Sequence, residues 1–375
     1  MKLSPKNLYL PKETSKLKTY SGKKGDVKES VQAPEGDLSF RDLLSRTYKE
    51  MYMGKLDDAL TDIETLGQMA ETTPTTDEEF YFMMYLCART ASCTLNLVSS
   101  DTVFSMMKSK LENYLPIAEY PAEWFLYYYE FGNYNDILCN KEITEQYWTK
   151  ARSLFDRILP EIHYGTTYLL RDISVLANCI EDELFTSESG QQEILSRYNN
   201  LLLMTDGLDD NNPDVQYARS VAYTGLGDYS YSFQDTISSD EISEMKRLYS
   251  LAEKEISLAI EYENSQNMYS LNQLNNIKIS RLFLLYIEDP EDLADKALTL
   301  LDEALDIIEK IEAIDSEYAL RRTAHFYWSF GSCYSYKEYL EKAAELFRIG
   351  LKGHPDIQYF KDNIAKIANE ISELE

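Results

Sequence analysis

The sequence predicts an all-α fold, a solenoid of about seven antiparallel helix pairs closed by a capping helix at its C-terminal end. Three observations predict it. Apolar residues recur at helical spacing from Leu38 almost to the end, in stretches that pair off around short polar turns. Pro and Gly number only 10 and 14 in 375 residues, as long helices require. The third observation is the spacing between Ala324 and Ile357, which reads Tyr327-x2-Phe330-Gly331-x2-Tyr334, then Ala343-x3-Phe347, then Pro355.

That order of large, small and terminating residues resembles a tetratricopeptide repeat. Two helices cross closely where residues are small, at Gly331 and Ala343, and large apolar side chains flank the crossing. Gly350 departs from the pattern, which usually has Ala there, and Gly within a helix costs ~1 kcal/mol relative to Ala. The resemblance implies a right-handed αα-hairpin solenoid in which the first helix of each pair lines a concave groove.

Taken in order, residues 1–37 show no helical periodicity. Pro5, Pro11, Gly22, Gly25, Pro34 and Gly36 recur among lysines and serines, so a disordered Lys-rich tail is expected there, and 38–375 is read as one helical repeat domain. Leu38 to Met53 and Leu56 to Glu71 form the first pair, with Thr47 where Gly is usual. The second runs from about Asp77 to Leu97 and Ser100 to Ile117, with Thr75 or Thr76 as N-cap. In the third, Trp124, Tyr127 and Phe131 lead to a break at Gly132-Asn133-Tyr134, and Ala151-x3-Phe155-x2-Ile158 supplies the partner. His163 to Leu184 and Gln191 to Thr205 follow, divided at Thr186 to Gly190. A similar interruption is expected where Gly227-Asp228-Tyr229 ends a helix before Glu241 to Tyr262. The interrupted repeats therefore lie near 117–161 and 213–262. Asn267 to Ile287 and Glu291 to Ile311 form the sixth pair, the repeat around Gly331 is the seventh, and Gln358 to Ile371 reads as the cap.

Charge excludes one broad class of function. The chain carries a net charge of -27, divided as +3 over residues 1–37 and -30 over the rest. An acidic body of that kind repels nucleic-acid phosphates and favours partners of basic character. The lysines of the tail leave a targeting signal or an RNA contact open there. Five cysteines, an odd number without C-x-x-C spacing, fit thiols in a reducing compartment. No run approaches the ~20 apolar residues of a membrane span. A soluble intracellular protein, cytoplasmic or nuclear, is expected.

Catalytic constellations are absent from the sequence. His163, His325 and His354 are the only histidines, and neither metal-ligand spacing nor a phosphate-binding Gly-rich loop accompanies them. Asp57-Asp58 with Asp62 fits the acidic N-terminal turn of a helix, Asp209-Asp210 with Asp214 lies near a turn, and among 64 acidic residues such clusters arise without a metal site. No cofactor, no metal and no enzyme activity are expected. The groove is the better candidate. In the first helices of the sixth and seventh pairs, Asn272, Asn276, Arg281 and Arg322 are basic or amide residues within an acidic body, and His325 and Trp328 stand off the Tyr327/Phe330/Tyr334 packing set. Asn can bond a peptide backbone through both donor and acceptor, and Arg can hold a carboxylate. The expected function is a non-catalytic scaffold binding a protein or peptide in its concave groove.

Two further resemblances give alternatives. Asn212-Pro213-Asp214-Val215-Gln216-Tyr217-Ala218, continuing through Gly225-Leu226-Gly227 to the Glu241 to Ala259 helix, resembles the fungal enhancer-of-translation-termination family. Lys6-Asn7-Leu8-Tyr9-Leu10-Pro11-Lys12 departs from that family's N-terminal signature. This resemblance implies a nuclear factor acting in translation termination or gene expression. The size and helix-pair architecture are also similar to bacterial peptide-sensing regulators.

Overall fold

A computed structural model describes residues 38–53, 55–72, 83, 86, 104–105, 108–109, 111–113, 116–137, 140–158, 169–178, 184, 187–230, 237–288, 294–314, 316–353, 355 and 358–374. The expected Lys-rich tail and most of the second pair lie outside these residues, as do His163, His354 and four of the cysteines. Every regular element among them is helical. Helices cluster into two compact units that divide between Phe155 and Asp156.

The first unit holds α1 (Phe40–Tyr52), α2 (Leu56–Thr72), α3 (Pro121–Ile137) and α4 (Lys141–Arg152), with α1 packed on α2 and α3 on α4. Ser39 starts α1 by accepting a hydrogen bond from the Asp42 N–H. Thr47 replaces the usual Gly without leaving a buried hydroxyl unpaired, because its Oγ1 donates to the Leu43 carbonyl at 2.8 Å. A four-residue helix, α5 (Phe155–Ile158), follows at the division.

The second unit continues with α6 (Leu169–Ala177), α7 (Glu188–Met204), α8 (Pro213–Tyr229), α9 (Ser239–Tyr262), α10 (Met268–Glu288), α11 (Ala294–Glu312), α12 (Ser316–Tyr334), α13 (Lys337–Gly353) and α14 (Gln358–Glu373). Each helix packs on the next in sequence. In addition, α6 packs on α8, α8 on α10, and α10 on α12. This is an αα-hairpin solenoid, in which first helices of successive pairs form one continuous layer.

Starts and stops follow local chemistry. Asn212 caps α8 ahead of Pro213, accepting at 2.8 Å from the Asp214 N–H. Ser238 and Glu241 form a reciprocal capping box on α9. Left-handed residues close three turns: Gly207 after α7, Asn264 with Ser265 between α9 and α10, and Ser335 between α12 and α13.

One expected helix break does not occur, since α3 runs through Gly132 to Ile137. Helix α8 runs through Gly225 and Gly227 and ends at Tyr229, where its end was expected. The glycines are contact points: the Trp148 indole lies where a Gly132 side chain would stand, and the rings of Tyr198 and Tyr249 lie against Gly225 and Gly227. Gly350 is explained in the same way, since the Phe360 ring of α14 rests on it. Gly190, read as part of a divider, sits in the first turn of α7 and donates its N–H to Ser187 at 3.1 Å.

Gly331 is constrained by backbone as well as by a side chain. A Cβ there would meet the Leu340 side chain at 2.8 Å and its backbone nitrogen at 2.9 Å, and backbone cannot step aside. Gly331→Ala should therefore lower stability by roughly 1–3 kcal/mol in urea unfolding, reversing the usual helix-propensity gain. Gly353→Ala, with open space around the site, should be neutral or stabilising.

Candidate functional site

The layer formed by α8, α10 and α12 is where the groove residues of the sequence reading fall. An αα-repeat encloses each internal first helix between its own partner, the preceding second helix and the first helices on either side. Helix α10 accordingly buries residues on nearly every side, including Ser270, Asn272, Gln273, Asn275, Lys278 and Ser280. Polar groups placed so deeply need partners.

Many of those partners come from neighbouring first helices. Arg322 of α12 donates from Nη2 to the Asn276 Oδ1 at 2.5 Å. Asn276 donates to the Gln273 Oε1 at 3.4 Å, and Gln273 donates to the Thr224 Oγ1 of α8 at 3.1 Å. A polar ribbon thus crosses three first helices, with Asn276 half-buried at its centre. Gln273 and Thr224 were not singled out from the sequence. Their only signal was polarity at packing positions of otherwise apolar helices.

The six sequence-derived residues separate into three settings. Asn276 and Arg322 meet in the ribbon, and Asn272 is buried beside it, 5% exposed. His325 and Trp328 lie inside the last repeats, each 4% exposed. Their rings stack at 5.9 Å, and His325 also meets Phe347 edge-on at 4.9 Å. The Trp328 indole N–H donates to the Glu370 carboxylate of α14 at 3.0 Å, and Ser332 donates to the same carboxylate at 2.6 Å. The capping helix therefore occupies the surface that Trp328 and Ser332 present. Arg281 faces another way, pairing with Glu253 of α9 at 2.5 Å.

Electrostatics within the layer follows burial. His325 is held well below its ordinary pKa, first by burial and then by the positive charges of Arg322 and Arg321, so its imidazole is neutral. Asp228, in the last turn of α8 as expected, accepts from the Tyr249 hydroxyl at 2.8 Å and Ser280 at 3.3 Å. Burial, reinforced by Asp228, pushes the Tyr249 phenol well up. At the head of the layer, buried Arg171 of α6 pairs with Asp214 of α8 and Glu263 at the end of α9, and donates to Ser270 of α10 at 3.3 Å. Its guanidinium also lies over the Tyr217 ring at 4.8 Å. The Asp209-Asp210-Asp214 group is thereby accounted for in part: Asp214 serves Arg171, and Asp210 pairs with Arg219 at 2.6 Å.

In the first unit, Asp62 of the other acidic group is claimed by Arg46, which reaches both carboxylate oxygens, at 2.7 and 2.5 Å. No group of His, Cys, Asp and Glu suited to a metal ion occurs among the described residues. No helix among them is long and apolar enough to cross a membrane.

Two expectations follow. The Glu50 carboxyl, desolvated and next to Asp62, has its pKa raised from 4.5 to about 7. Ionising it disfavours the folded state, so its contribution is most favourable below pH 4.5 and is lost as pH rises through 7. Glu50→Gln should flatten that part of the profile, seen as a smaller fall in urea midpoint between pH 5 and pH 8. Trp328→Ala empties a packed site and removes the indole N–H from the Glu370 carboxylate, which keeps Ser332. It should cost about 3–5 kcal/mol in thermal or urea unfolding.

No protein-family model matches the chain, and no curated protein matches it with significant similarity. Among solved structures, the chain is similar to a Rap protein complexed with competence and sporulation factor, at 14% identity over 90% of this chain and 99% of that one, with a TM-score of 0.32. A score of that size does not establish a common fold, and the solenoid assignment rests on the helix packing described above.

Proposed function

We propose that the protein is a non-catalytic helical-repeat scaffold that binds a protein or peptide segment of basic character along the α8–α10–α12 face. The observation that carries this reading is the polar ribbon with half-buried Asn276 at its centre. One of its carbonyl lone pairs and one of its amide hydrogens serve Arg322 and Gln273. The remaining lone pair and hydrogen match the donor and acceptor of a peptide bond. A side chain already held on both sides loses little freedom on binding. The charge of -30 over residues 38–375 supports a basic partner by long-range attraction. Cys333, a buried free thiol, supports an intracellular setting, cytoplasmic or nuclear.

The test is fluorescence polarisation of the purified chain against labelled peptides of equal length, basic, neutral and acidic. Basic peptides should bind saturably, and raising salt from 0.1 to 0.5 M should weaken them. Asn276→Ala should weaken binding about three- to ten-fold, the value of a hydrogen bond of ~0.5–1.5 kcal/mol. Asn276→Asp keeps the acceptor for Arg322 and should tighten basic peptides. Saturable binding that ignores both changes at position 276, or no saturable binding by any peptide, would refute the proposal.

A further inference from the structure

On another side of α10, away from the polar ribbon, α9 and α11 flank a cavity of about 420 Å³. Tyr249, Leu284, Leu285 and Leu300 give it apolar walls, and Lys246, Arg281 and Lys296 bring three positive charges to it. Glu288 is the single carboxylate in the lining. Such a collection of cations runs against the charge of the body, which has about two acidic residues for every basic one.

The cations are not equally committed. Arg281 pairs with Glu253, and Lys246 with Glu288. Lys246 is about half exposed, so its pair is weakly held. Lys296 is exposed and makes no ion pair among the described residues. Tyr249 directs its hydroxyl to Asp228, which holds the ring in place as a wall. The cavity thus joins a fixed apolar interior to one uncommitted and one exchangeable ammonium.

We propose that this cavity binds a small amphipathic carboxylate, a medium-chain fatty acid, with the alkyl chain against Tyr249, Leu284, Leu285 and Leu300 and the carboxylate at Lys296 and Lys246. Size agrees with that class. The volume lies within the range of small-molecule sites, ~300–1,000 Å³. If a methylene takes about a water's share of liquid volume, ~30 Å³, a chain of about ten to twelve carbons fits. The cavity is too small for a partner helix.

Calorimetric titration of the intact chain with dodecanoate, dodecanol and dodecyltrimethylammonium tests the assignment. Dodecanoate should bind at one saturable site, dodecanol about ten-fold or more weaker, and the ammonium compound not measurably. Lys296→Glu, on an exposed position of α11, should weaken dodecanoate about ten-fold or more. Thr299→Trp, also exposed, should fill the cavity and abolish binding. Neither change should alter the circular dichroism spectrum or peptide binding at Asn276, so failure here is distinguishable from failure of the scaffold function. Equal binding of all three amphiphiles, or dodecanoate binding untouched by both variants, overturns the proposal. Saturation only by a short peptide ending in a free Leu carboxylate, and not by its amide or by dodecanoate, also overturns the fatty-acid assignment and makes the cavity a peptide-terminus site.

Discussion

The structure of the second unit depends on how tightly a first helix is enclosed. Helix α10 touches α8 and α12 within its own layer and α9 and α11 behind it. A helix in that position has almost no solvated face, so each polar residue it carries must find a partner on a neighbour or remain costly. Gln273, Asn276, Lys278 and Ser280 all bond outward to other helices. Those bonds fix the rotation of α10 about its axis as well as its distance from its neighbours, which apolar contact alone does poorly.

Close approach makes this enclosure possible, and it falls repeatedly on glycines. Helices α8, α12 and α13 each accept a large side chain directly on the backbone, from Tyr249 on Gly227, Leu340 on Gly331 and Phe360 on Gly350. The cost of Gly in a helix is offset by packing at each place. Enclosure also separates the surfaces of α10 by chemistry. Toward α8 and α12 it presents amides and hydroxyls, and toward α9 and α11 it presents Lys278, Arg281 and leucines. The peptide surface and the cavity proposed above are the two sides of one helix.

Much of this was legible in the sequence. Periodicity marked α1, α2 and α7 to α14 within a few residues, and the polar-faced last helix was recognisable as a cap. The break assigned at Gly132 was not real, because glycine read locally is a helix breaker. A ring resting on it from another helix is a tertiary fact. Site residues were harder. Asn272, Asn276, Arg322, His325 and Trp328 were identified as polar or amphipathic residues off the main stripe, but spacing within one helix does not say what covers a face. Asn276 stays half-buried at the centre of the ribbon, whereas Glu370 of α14 takes the Trp328 indole. Arg281 differs from Asn276 by five positions, enough to turn it toward α9.

By itself, the sequence determined the helices, their pairing and the acidic character of the body. These depend on local propensity, apolar period and a count of charges, all of which are carried along the chain. Tertiary structure alone decided which polar residues meet, which are covered and where a cavity is left. Those outcomes depend on the rotation and spacing of helices set by contacts between residues far apart in sequence, such as Arg171 with Glu263 and Trp328 with Glu370.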